Sequence, residues 1–401
     1  MRHLALSATL LICPILAQAQ ATGPAISYGV RPAYLIDKLP AGPLKDKLAA
    51  CEGQTPERTT FSIGHRGGPL MFPEHTVESN RAAARMGAGI LECDVTFTKD
   101  LELVCRHAQN DLHTTTDILT SDLAETCVTP FTAATAETPA KAECRTSELT
   151  LAQFKSLSPK MDSRDKTATT PAGYQGGLAR FRTDLYTDGA QLMTHKDSIA
   201  LFRDLGAKFT PELKSPAVEM PFNGFTQADY AQKLIDEYKE AGVPASDVWA
   251  QSFNLDDILY WIDHEPDFGK QAVYLVQWSR GFDEQDPTTW AQDFAALKAR
   301  GVQYLAPSIN MLLTAENGQI AASAYARAAK AAGLKLIAWS LERSGPLAQG
   351  GGWYFKPVND IVDTDADYLV ALDVLAQEVG VDGVFSDWPA TVTYYANCMG
   401  L

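Results

Sequence analysis

The stretch FSIGHRGGPLMFPEHTVESNRAAARMGAGILECDVTF, residues 61–97, decides how the chain reads. A short apolar run ends in His65 and Arg66, and Gly67 and Gly68 follow. A helical pattern over Val77–Met86 then leads to a second apolar run, Gly89–Val95, which carries Glu92 and Asp94. Strand, helix, strand with a connection this long is a βαβ unit, so the two strands are parallel. His65, Arg66, Glu74, Glu92 and Asp94 all sit within or at the ends of these runs. Polar groups so placed are costly unless they are paired, bound to a metal or open to a cleft.

The same rhythm continues almost to the end of the chain. Further strand-like runs are Lys208–Leu213, Asp247–Phe253, Gln271–Val276, Val302–Pro307, Lys335–Leu341 and Gly383–Ser386. With Thr60–Gly64 and Gly89–Val95 they make eight, most of them separated by helical segments such as Ala228–Glu240 and Asp367–Val379. Eight such units predict an α/β fold of the (β/α)8 TIM barrel type, with functional groups at the C-terminal strand ends. A doubly wound open sheet is the competing architecture. A ninth run, Glu102–Ala108, follows the second strand too closely for a crossover and predicts an antiparallel hairpin. A two-residue turn at Asp100 and Leu101 would set His107 opposite Asp94; a longer turn breaks that alignment. Residues 109–197 depart from the rhythm and read as an insertion over the barrel mouth. The expected division is therefore 1–19, 20–59, and a barrel over 60–401 that contains the insertion.

Composition bounds the partners. The 401 residues are 46% hydrophobic and 21% charged, enough for a packed core. A net charge of −15 argues against nucleic acid, whose phosphates would be repelled. Residues 1–19 combine Arg2, an apolar run and a small-residue cleavage pattern at Ala17-Gln18-Ala19, the form of an export signal peptide. No later apolar run is long enough for a stable membrane anchor. Export places the remaining cysteines, Cys51, Cys93, Cys105, Cys127, Cys144 and Cys398, where disulfides form. Spacing leaves the pairing open; Cys127 with Cys144, which bracket a Thr/Ala/Pro-rich loop, is the preferred pair.

Alternation along a strand puts Glu92 and Asp94 on one face and Cys93 on the other. Two adjacent carboxylates need a neutralising partner. Glu212, at the end of the third strand in "TPELKSP", brings a third. Three carboxylates without cysteine or paired histidine suit one hard divalent cation, Ca²⁺ or Mg²⁺. His65 and His107 beside such a site, with Arg66 and Lys214 nearby, fit acid–base cleavage of a phosphodiester. Each element also has a plainer reading: strand-end histidines are often structural, and Glu74 reads as a cap of the following helix. His75, His113, His195 and His264 read as surface or loop residues.

The first block, from "GHRGG" through "PEHT" and "ECD" to "CRH", resembles the amino-terminal signature of the glycerophosphodiester phosphodiesterases. "PELK", "QSF", "AWSL" and "DGVFSDWP" are similar to later strands of that family. The resemblance implies a (β/α)8 barrel binding one divalent cation through Glu92, Asp94 and Glu212. His65 and His107 would be the acid–base pair, Arg66 and Lys214 would contact phosphate, and Trp339 would line the cleft. The implied reaction releases sn-glycerol 3-phosphate and an alcohol from small glycerophosphodiesters. Two departures stand out. His75 replaces a frequent Asn, and His107 is followed by Ala108 rather than Asp, with Asp111 four residues late. Two other readings fit the same residues: a phospholipase D-like enzyme of this fold acting on intact lipids, and an exported binding protein for phosphorylated ligands.

Overall fold

The computed structural model describes residues 23–401, so the expected leader lies outside the described residues. Eight parallel strands close into a barrel: β1 Thr59–Gly64, β2 Ala88–Phe97, β3 Lys208–Leu213, β4 Gln251–Ser252, β5 Val273–Leu275, β6 Tyr304–Ala306, β7 Lys335–Leu341 and β8 Gly383–Ser386. Each pairs with its neighbours in sequence, and β1 closes the ring by pairing with both β2 and β8. Inside, Ile63, Ile90, Val273, Tyr304, Ile337 and Phe385 fill the barrel floor. The interior is thus a packed core, and polar groups are excluded to its open end. The larger apolar layer lies between the strands and the surrounding helices.

The register explains which side chains converge. Asp94 lies level with Glu212, and Glu212 level with Gln251, on three adjacent strands. Partners in a parallel ladder face the same way, so one pleat delivers all three to the mouth. On the other side of the ring Gly64 is level with Ser386, which places His65 and Asp387 side by side just beyond the strands.

The segment Leu103–Cys105 pairs antiparallel with β2, in a register that differs from the expected one. Thr98 N–H donates to Glu102 O, so the turn holds three residues, Lys99 to Leu101, not two. Leu101 takes the left-handed conformation, φ 63°, that such a turn demands. Asp94 therefore faces Arg106, whose N–H donates to the Asp94 carbonyl at 2.7 Å, and His107 lies one residue past that point.

From Leu112 to Leu192 the chain leaves the barrel and forms its own small apolar cluster, including Leu112, Ile118, Leu149 and Phe154. The Cys127–Cys144 disulfide lies within it. Cys93–Cys105 ties the antiparallel segment to β2, and Cys51–Cys398 ties the amino-terminal helices to the final helix, Ala390–Met399. Among the described residues no helix is long and apolar enough to cross a membrane.

Candidate active site

The turn after β1 is built for close packing. Gly67 has φ 92°, and a Cβ there would sit 2.3 Å from Ser79 Oγ. Only glycine fits, and the tight turn brings the Gly68 N–H to Ser79 Oγ at 2.9 Å. Arg66 and His75 flank this loop with φ near 56° and 57°, joined by a His75 N–H bond to the Arg66 carbonyl. Left-handed non-glycine residues are costly and collect at functional sites.

One cleft of about 60 Å³ gathers His65, Arg66, Glu92, His107, Glu212 and Lys214, with Gln251 on its wall. Every site residue expected from the sequence lines this cleft except Asp94, which neighbours two of its lining carboxylates, Glu92 and Glu212. Phe253, Leu275, Trp339, Tyr354 and Phe385 form the apolar side. Trp339 is held by its indole N–H on the Ala306 carbonyl at 2.8 Å.

Carboxylate oxygens of Glu92, Asp94 and Glu212 all lie within 4.8 Å of one another. Burial, then Asp94 and Glu212, push Glu92 well above the usual carboxylate range. Burial also lifts Glu212 to about 7, against the pull of Lys214 at 2.5 Å. Asp94 goes the other way: His75 at 2.8 Å and Lys214 hold it well below the usual range despite its burial. Asp94 Oδ1 and Gln251 Oε1 are buried and have no hydrogen-bond partner. Buried orphan acceptors beside two carboxylates that resist ionisation describe a site short of positive charge. An all-oxygen donor set of this kind fits a hard divalent cation.

His65 Nδ1 meets Asp387 Oδ1 at 2.6 Å. Asp387 Oδ2 accepts from Arg182 at 3.0 Å and Arg343 at 3.3 Å. Burial opposes ionisation of Asp387, but Arg343, His65 and Arg182 outweigh it and bring it down to about 2. Burial and then Arg66 bring His65 down to about 4, against the bond to Asp387. The pair is therefore a carboxylate accepting from a neutral imidazole. With the proton on Nδ1, Nε2 carries a free lone pair.

Glu74 is not a helix cap. Thr76 caps Val77–Arg85, its Oγ1 accepting from Ser79 N–H. Glu74 instead receives both bonds from one guanidinium nitrogen of Arg66, at 3.2 and 3.1 Å, and one from Arg343. Of the histidines expected at the surface only His264 is exposed. His75 and His195 are fully buried on Asp94 and Glu237, and His113 is buried in the inserted segment. Burial, Arg66 and Lys214 hold His107 well below the ordinary histidine range. His107 also approaches Glu74 and Asp111, a second group with metal-like spacing, but there Glu74 is already committed to two arginines.

Asp387, Arg343, Arg182 and Gln251 were not singled out from the sequence. Asp387 stood in the quoted "DGVFSDWP", directly after a predicted strand, which was the available signal. Arg182 comes from the inserted segment and had none.

A parallel barrel whose C-terminal mouth combines carboxylates, two histidines and four cationic side chains defines a phosphate-directed hydrolase class. The model of the "Glycerophosphoryl diester phosphodiesterase family" matches residues 65–391. The chain belongs to that family and is a phosphoric diester hydrolase. An "Extracellular protein" of Arthroderma benhamiae is 45% identical over 247 residues, 60% of this chain and 100% of that protein. A Mycobacterium tuberculosis protein named "Probable glycerophosphodiester phosphodiesterase 1" is 45% identical over 47 residues, 12% of this chain and 17% of that protein. A candidate glycerophosphoryl diester phosphodiesterase from Silicibacter pomeroyi, solved by crystallography, superposes with a TM-score of 0.58 at 18% identity, covering 88% of this chain and 98% of its own. At that identity the likeness is one of fold.

Proposed function

We propose that the protein is an exported, metal-dependent enzyme that hydrolyses glycerophosphodiesters to sn-glycerol 3-phosphate and an alcohol, with His65 as base and His107 as acid. The observation that carries this reading is the His65–Asp387 contact in a cleft that His107 also lines. Asp387 fixes the His65 tautomer, so Nε2 faces its task unprotonated at neutral pH. His107 is neutral in the free cleft because burial, Arg66 and Lys214 oppose its charge. An anionic diester bound beside it favours the imidazolium, which then donates its proton to the departing alkoxide.

Glu92, Asp94 and Glu212 would hold a Ca²⁺ or Mg²⁺ ion. Such an ion supplies Lewis-acid stabilisation of phosphoryl charge. Arg66 and Lys214 add fixed positive charge at the same place. With Glu92 and Glu212 ionised around a bound cation, Arg66, Arg182, Arg343 and Lys214 would face five carboxylates, Glu74, Glu92, Asp94, Glu212 and Asp387. A divalent ion would then leave a surplus of one positive charge for a phosphodiester monoanion to neutralise. Export is supported by the signal-peptide pattern expected at residues 1–19 and by the three disulfides among the described residues, bonds that persist in oxidising compartments.

The test is release of sn-glycerol 3-phosphate from a soluble diester with Ca²⁺, with Mg²⁺ and with excess EDTA. The expected outcome is metal-dependent release that His65→Ala abolishes. Release that survives EDTA, or His65→Ala at wild-type rate, would overturn the reading.

One observation favours a second reading. Trp353, 37% exposed, packs with Trp278, Trp339 and Tyr354 into a contiguous aromatic cluster. Aromatic rims suit the interface of a lipid layer, as a phospholipase D-like enzyme of this fold requires. Faster turnover of phospholipid vesicles than of soluble diesters would favour it.

A further inference from the structure

We propose that the cavity behind Asp387, between the amino-terminal segment and the inserted segment, binds an amphipathic carboxylate, an acyl chain that ends in an anion. The site is separate from the cleft and independent of the reaction proposed above.

The cavity has a volume of about 440 Å³ and shares no lining residue with the cleft. Pockets of this size, mostly apolar with a few placed polar groups, are the usual form of a small-molecule site. Separate stretches of chain build its walls. Tyr28 and Val30 come from the amino-terminal segment, Leu70 and Met71 from the loop after β1, Phe181 from the inserted segment and Trp388 from the turn after β8. The Thr183 N–H donates to the Leu70 carbonyl at 3.1 Å and closes the inserted segment onto that loop. Tyr28 spends its hydroxyl on Asn397 at 2.5 Å. Val30 is 84% exposed and so stands at the rim.

The polar side chains of the cavity are donors. No carboxylate lines it, whereas Arg31, Arg180 and Arg182 do. Arg31 is answered by Glu342 at 2.6 Å and by the field of Asp365. Arg180 holds no ion pair among the described residues, and Asp184, close to it in sequence, is exposed and pairs with none of the three. Arg182 must share Asp387 with Arg343. Its side chain is only 7% exposed, yet its Nε has no hydrogen-bond partner. Trp388 Nε1 is buried and orphaned in the same way. Burial and then Arg343 hold Arg182 below the ordinary arginine range despite Asp387, whereas Arg66 and Arg343 are raised. Two orphaned donors and an unanswered guanidinium call for an acceptor. A carboxylate offers two coplanar oxygens, the geometry a guanidinium matches. An attached chain would cover the apolar walls, which a small inorganic anion would leave bare. The occupant would lie one guanidinium away from Asp387.

The experiment titrates octanoate, octanol and butanoate into the full-length protein with Mg²⁺ present, read by isothermal calorimetry. Octanoate should bind one to one. Octanol keeps the chain and lacks the charge, and should bind at least about tenfold more weakly. Butanoate keeps the charge and loses half the chain, and should bind about a hundredfold more weakly. Val30→Asp sets a carboxylate at an exposed wall position and should abolish octanoate binding. Arg180→Gln should bring octanoate and octanol close together in affinity. Saturating sn-glycerol 3-phosphate should not compete. Absence of saturable octanoate binding, equal binding of octanol, displacement by sn-glycerol 3-phosphate, or an octanoate affinity that Val30→Asp leaves intact overturns the site.

Discussion

Replacing Asp387 by asparagine keeps its shape and removes its charge. The carboxylate serves three donors: His65 at 2.6 Å on one oxygen, Arg182 at 3.0 Å and Arg343 at 3.3 Å on the other. An amide has only one oxygen to offer. If it faces His65, its NH₂ meets two guanidinium groups. If it faces the arginines, its NH₂ points at His65 Nδ1. Two charged donors outweigh one neutral donor, so the second orientation prevails. His65 must then accept at Nδ1 and carry its proton on Nε2, where a base is needed. Loss of a correctly oriented base costs roughly 10²- to 10⁴-fold in kcat, about 3 to 5 kcal/mol of barrier. Breaking a buried ion-pair cluster also lowers stability by about 3 kcal/mol or more, so the variant's unfolding midpoint must be measured alongside its kinetics. The pH profile separates positioning from mere structural damage. Asp387 raises the His65 pKa against burial and Arg66. Its removal therefore moves the acid limb of kcat/KM to lower pH. A folded Asp387→Asn protein with wild-type kcat and an unmoved acid limb would refute the role given to this carboxylate.

Neutral burial of His65 has a thermodynamic consequence. Its pKa falls from 6.5 to about 4 on folding, so the unfolded chain binds the extra proton first as pH drops. The associated stability is fully present above pH 6.5 and is lost as pH falls through about 4, by about 3 kcal/mol in all. Urea titrations across that window should record the decline in the wild type and a smaller decline in His65→Ala, where the other depressed histidines, His75, His107 and His113, still contribute. Divalent cation at a hundredfold over its dissociation constant should stabilise the protein by about 3 kcal/mol, read as a rise in Tm that Asp94→Asn abolishes. The Cys93–Cys105 bridge spans a sequence separation of 12 residues. Replacing both cysteines by serine should cost about 3 kcal/mol in urea unfolding, and the segment that presents His107 should lose hydrogen-exchange protection first.

Much of this architecture is legible in the sequence because period and spacing carry it. Alternation sets Glu92 and Asp94 on one face, and the repeating strand–helix rhythm yields the closed barrel. β3, β7 and β8 have the expected bounds, whereas β4 is only Gln251–Ser252: Asp247 ends a 3₁₀ turn, and Val248 makes only an isolated bridge to Phe209. The hairpin register depended on one residue of turn length, and no periodicity reports that. Arg343 and Asp387 escape, and Glu74 reads as a helix cap, because each is a single polar residue in a loop, and their meeting is a property of ring closure. Arg182 arrives from a segment more than two hundred residues away from Asp387 in sequence, where composition indicated only loop. His75 and His195 looked like surface residues because a histidine reveals nothing of its partner until Asp94 or Glu237 is placed against it.

The most direct test of the central claim, that His65 removes a proton and His107 supplies one, compares two leaving groups. One substrate is a glycerophosphodiester of an alkyl alcohol, which departs only if protonated. The other is the corresponding nitrophenyl diester, whose phenolate departs unaided. His107→Ala should lose roughly 10²-fold or more on the alkyl diester and less than about tenfold on the nitrophenyl diester. His65→Ala should lose heavily on both. Equal losses on the two substrates for His107→Ala would contradict the assignment of the acid, and with it the direction in which the headgroup leaves.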